Sequence, residues 1–60
     1  MTRQEKAINL IEQYTKKIDN VRERFFAGKH SEAQMSNDIR RYAAEIRRLC
    51  EMIKTGNYFI

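Results

Sequence analysis

The sequence predicts an all-α protein: an antiparallel helical hairpin with coiled-coil-like heptads that dimerises into a four-helix bundle. Three observations predict it. Apolar residues recur at alternating steps of four and three through two long segments. Each segment opens on a capping box and closes on a glycine. A chain of 60 residues with a single Cys cannot close its core with an intrachain disulfide, which leaves association with a further copy as its route to stability.

The first helix is expected over residues 3–27. Thr2 followed by Glu5 is its capping box, and Gly28 follows its last turn. The second is expected over residues 32–55, between the capping box Ser31 with Gln34 and the terminating Gly56. At roughly 1.5 Å per residue each rod is about 36 Å long. The turn, residues 28–31, is too short for anything but an antiparallel pair. An apolar tail, residues 57–60, completes one domain.

The stripe of the first helix is Ala7, Ile11, Tyr14, Ile18, Val21 and Phe25; that of the second is Met35, Ile39, Tyr42, Ile46, Leu49 and Ile53. These are the a and d positions of a heptad seam, with Ala7 and Met35 at d. Folding the seams together about His30 sets Phe25 against Met35, Val21 against Ile39, Ile18 against Tyr42 and Tyr14 against Ile46. Ile11 then meets Leu49, and Ala7 meets Ile53. On the g flank Arg24 is expected to face Asp38, Lys17 to face Glu45, and Leu10 to face Met52. On the e flank Ile8 faces Cys50, Thr15 faces Ala43 and Arg22 faces Ser36. Small residues there admit a close helix neighbour, so Ile8, Thr15, Ala43 and Cys50 are the expected dimer interface.

Charge is segregated in a chain that carries 12 basic and 8 acidic side chains. Arg40, Arg41, Arg47, Arg48 and Lys54 fill consecutive b and c positions of the second helix as one outward strip. The first helix instead sets Glu5, Glu12, Asp19 and Glu23 against Lys6 and Lys16 on its outer face. Such a strip suits phosphates, an acidic protein surface, or simply solvent. Phe26 and Tyr58 lie off the seam, at opposite ends of the rod, and are candidate contact anchors. Phe26 alternatively packs under the turn, and the tail from Tyr58 either folds back over Arg3, Ala7 or Leu10 or extends into a partner groove.

The chemistry of catalysis is poorly represented. His30 sits at the tip of the turn with Glu32 its nearest acid in sequence, and Cys50 is expected to be a half-buried core thiol. There is no phosphate-cradling glycine loop, nucleophile elbow or metal-ligand spacing. The expectation is a non-enzyme with no cofactor and no metal. No apolar run approaches the length of a membrane span, and Met1-Thr2-Arg3-Gln4-Glu5-Lys6 lacks a signal-peptide stretch, so the expected compartment is the cytoplasm.

Two segments carry a resemblance. The opening Met1 to Lys6, and Ala43-Ala44-Glu45-Ile46-Arg47-Arg48-Leu49-Cys50 in the second helix, resemble the Rop family of small plasmid RNA-binding proteins. The resemblance implies a homodimeric antiparallel four-helix bundle that binds paired RNA loops with the face of its first helix. Arg3 resembles that family's early lysine, and Tyr14 aligns with its central aromatic. Ile18 and Phe25 stand where the family carries Gln and Lys. The combined expectation is a small regulatory or inhibitory protein, of viral or plasmid accessory type, that homodimerises and binds a protein partner. The alternative is a Rop-like regulator binding RNA or another nucleic acid through a basic helix face.

Overall fold

The computed structural model describes residues 2–58, and within them the chain forms two helices, α1 (Arg3–Phe26) and α2 (Glu32–Thr55), packed as an antiparallel hairpin. α2 spans the expected residues, and α1 stops one residue early. Local chemistry explains each end. The Thr2 hydroxyl accepts from the Glu5 N–H at 3.1 Å, while the Thr2 N–H donates to the Glu5 carboxylate at 3.5 Å. Ser31 and Gln34 repeat this at 3.1 and 3.3 Å. Each box satisfies donors that a helix start leaves unpaired.

The exit of α1 is a Schellman turn. Gly28 takes φ +77°, and the N–H groups of Gly28 and Lys29 reach back to the Phe25 and Arg24 carbonyls at 3.0 and 2.8 Å. α2 ends more simply. Gly56, at φ +75°, donates to the Met52 carbonyl at 2.8 Å.

The molecule measures 40 × 19 × 14 Å. Its shortest dimension is little more than one helix diameter, so the fold is a single layer of two rods. A single layer hides little. The buried side chains among the described residues are Ala7, Val21, Leu49 and Met52. Ala7, Leu49 and Met52 form one cluster at the open end of the hairpin, with Leu10, Ile11, Tyr14, Ile53 and Tyr58 packed against it.

The contact between the helices is turned away from the middle of the a/d seam. Of the d residues, Ala7, Val21 and Leu49 are buried. All the a residues, Ile11, Ile18, Phe25, Ile39, Ile46 and Ile53, stay half-exposed. On the g side Met52 is buried and Leu10, Asp38 and Glu45 are half-buried, whereas every e residue, Ile8 to Cys50, is exposed. The hairpin therefore closes about position d and opens towards a and e. Leu10 and Met52 share the same cluster, as the expected g-flank pairing requires.

The two charged pairings of that flank do not form. Asp38 is taken by His30, whose Nε2 lies 3.6 Å away, and by Arg41 at 3.4 Å; Glu45 is taken by Arg48 at 2.8 Å. Lys17 instead lies over the Tyr14 and Tyr42 rings, 5.1 and 5.8 Å from their centroids. Those two rings meet at 5.8 Å, so Tyr14 reaches a turn beyond its expected partner Ile46. An arginine three residues along the same helix needs less ordering to reach a carboxylate than a long side chain on the other rod.

Candidate interaction surfaces

Three surfaces carry the candidate residues. The first is the open face of the layer. Because the helices are antiparallel, their a and e positions turn to the same side. Ile8, Ile11, Thr15, Ile18, Arg22 and Phe25 of α1 lie beside Ser36, Ile39, Ala43, Ile46, Cys50 and Ile53 of α2. Ile8 is 41% exposed, and Ala43 and Cys50 are exposed as well. Among these side chains Arg22 is the single charge. Its one polar hydroxyl in the middle is already satisfied: Thr15 Oγ1 donates to the Ile11 carbonyl at 2.9 Å. The face is thus apolar, continuous and cheap to desolvate. Within the hairpin Cys50 is not the core thiol expected, because the seam turns towards g and leaves position e outside.

The second surface is the arginine strip. Arg40, Arg41, Arg47, Arg48 and Lys54 are all exposed, on the outer side of α2. Its two columns differ. The c-column arginines, Arg41 and Arg48, are held by Asp38 and Glu45, and Arg41 also lies 5.4 Å from the centre of the Tyr42 ring. The b-column cations, Arg40, Arg47 and Lys54, have no ion-pair partner among the described residues. Carboxylates interleaved with the strip lower its local field well below what five cations suggest.

The third surface is the turn end. Phe26 is 78% exposed and meets Phe25 edge-on at 5.5 Å, so it does not pack under the turn. A shallow depression beside it is lined by Asp19, Arg22 and Glu23. Phe26 belongs to α1 and the strip to α2. At the other end Tyr58 is half-buried against Ala7, Leu49 and Met52, which is the fold-back disposition. The rest of the apolar tail, Phe59 and Ile60, lies outside the described residues.

His30 is the residue whose surroundings the sequence reading missed. Its acidic neighbour is Asp38, not Glu32, and its Nδ1 is buried without a hydrogen-bond partner. The turn swings His30 back over the first turns of α2, a placement that heptad spacing does not encode. No protein-family model matches the chain, and comparison with curated proteins and with solved structures finds no significant match.

Proposed function

We propose that the chain is a small non-enzymatic regulatory or inhibitory protein that works as a homodimer and acts by binding a macromolecular protein partner. One observation carries the reading: a layer one helix thick, with a face of half-exposed isoleucines along both rods, and a second copy is the partner always at hand to cover it. Burying such a face removes apolar surface from water at about 25 cal/mol per Å². Covered this way, the layer becomes a four-helix bundle.

A protein partner is favoured over nucleic acid by the state of that strip. Arg41 and Arg48 already spend their charge on Asp38 and Glu45, and the outer face of α1 carries Glu12, Asp19 and Glu23. Both features oppose phosphate contact. Phe26, a large apolar ring standing clear of the surface, suits a protein pocket.

Sedimentation of the native chain tests the association directly. It should give a dimer, and Ile8→Asp should give a monomer by setting a carboxylate in the apolar contact. For the partner, Phe26→Ser should lose a captured protein while keeping helicity. Retention on heparin or mixed RNA that falls steeply with salt, and vanishes when Arg40 and Arg47 become glutamate, would replace the protein-partner reading with the nucleic-acid one.

A further inference from the structure

The open face does more than invite a second copy. Its two borders carry opposite charge. Position b lies just outside e on the helical wheel, so the b columns of α1 and α2 edge this face on its two sides. On α1 that column reads Glu5, Glu12, Asp19, Phe26; on α2 it reads Ala33, Arg40, Arg47, Lys54. All of these side chains are exposed. None of the charged ones has an ion-pair partner among the described residues, although Glu5 uses one oxygen in its capping box.

Two-fold symmetry allows a layer to stack on its copy in two ways. With the axis along the rods, α1 lies on the α2 of the second copy and both turns sit at one end. With the axis across the rods, α1 lies on α1, α2 lies on α2, and the turns sit at opposite ends. Neighbouring helices are antiparallel in both, so b always meets b.

The consequences differ in sign. In the like-on-like stack Glu12 meets Glu12 and Glu5 meets Asp19, while Arg47 meets Arg47 and Arg40 meets Lys54. Every charged contact is repulsive. In the α1-on-α2 stack Glu5 meets Lys54, Glu12 meets Arg47 and Asp19 meets Arg40, and the remaining pair is Phe26 with Ala33. Every charged contact is attractive. The same register fills the middle well. Ile11 falls on Cys50, Ile18 on Ala43, Phe25 on Ser36 and Ile46 on Thr15, a large side chain against a small one in each case. Ile8 meets Ile53, and the stem of Arg22 crosses Ile39 with its guanidinium free to reach water.

We propose that the second copy docks with its α2 on α1 and with both turns at the same end of the bundle, selected by the acidic and basic b columns. This rests on the homodimer reading and adds an arrangement to it. It also gives Arg40, Arg47 and Lys54 a structural role at the seam between copies, leaving Arg41 and Arg48 as the outward cations.

The test is a distance between turns. Nitroxide labels on Lys29→Cys, in the full chain with Cys50→Ser, should lie about 20–30 Å apart by pulsed dipolar spectroscopy, two packed helix layers plus the label arms. A dimer whose labels are separated by the 40 Å length of the rod overturns the arrangement while leaving the homodimer intact. A monomer at all concentrations overturns both. Charge reversal supplies an independent readout. Glu12→Arg and Arg47→Glu should each weaken the dimer about tenfold, and the double variant should recover it. Single reversals that leave the affinity unchanged match like-on-like stacking and overturn the proposal.

Discussion

Leu49 and Cys50 are adjacent in the chain and opposite in circumstance. Leu49 is 1% exposed in the cluster with Ala7 and Met52; Cys50 looks out from the open face. A rotation of roughly 100° per residue separates them, and that rotation is the difference between packing within the hairpin and packing outside it. Leu49→Ala should therefore cost about 2–4 kcal/mol, read from denaturant unfolding, because it opens a cavity in the cluster it shares with Ala7 and Met52. Heptad spacing alone names Leu49 as a core residue. It does not say that Leu49 outranks Ile46 or Ile53, which share its stripe but stay half-exposed. Two adjacent faces of each helix, g-d-a and d-a-e, contain the same seam, and only packing chooses between them. The lost pairings on the g flank have a similar origin. Spacing shows that Lys17 can reach Glu45, and that Arg48 can as well, but not that the tyrosine rings will hold Lys17.

At the scale of the element, most of the structure was legible because helix ends depend on neighbours within four residues. The capping boxes at Thr2 and Ser31, and the left-handed glycines at 28 and 56, each act through one or two local hydrogen bonds. Ser31→Ala should cost about 1 kcal/mol and fray the start of α2, visible as faster amide exchange at Gln34 and Met35. Gly56→Ala should cost a similar amount despite open space around the position, because a Cβ is strained at φ +75°. The turn itself was less legible. Nothing in the spacing of residues 28–31 brings His30 to Asp38; that contact follows from the Schellman exit of α1, which reverses the chain before α2 begins.

The whole molecule is a layer too thin to hide its own apolar stripe, and its stability should accordingly depend on how many copies surround it. Ala7, Val21, Leu49 and Met52 are a small core for two helices of 24 residues each. If the open face is closed by a second copy, folding and association are one equilibrium, and each tenfold rise in concentration favours the folded dimer by about 1.4 kcal/mol. For a bundle of this size the melting temperature should then climb by roughly 5 °C per decade of concentration. Ile8→Asp should flatten that slope and lower the melting temperature, since a lone hairpin melts independently of its neighbours. Raising the salt should lower the native melting temperature only slightly. In the proposed dimer the Glu12 and Arg47 pairing would screen readily at the bundle edge, whereas burial of the isoleucines would not. A native melting temperature that stays constant from micromolar to millimolar protein would show that the hairpin stands alone, and the open face would then need a different occupant.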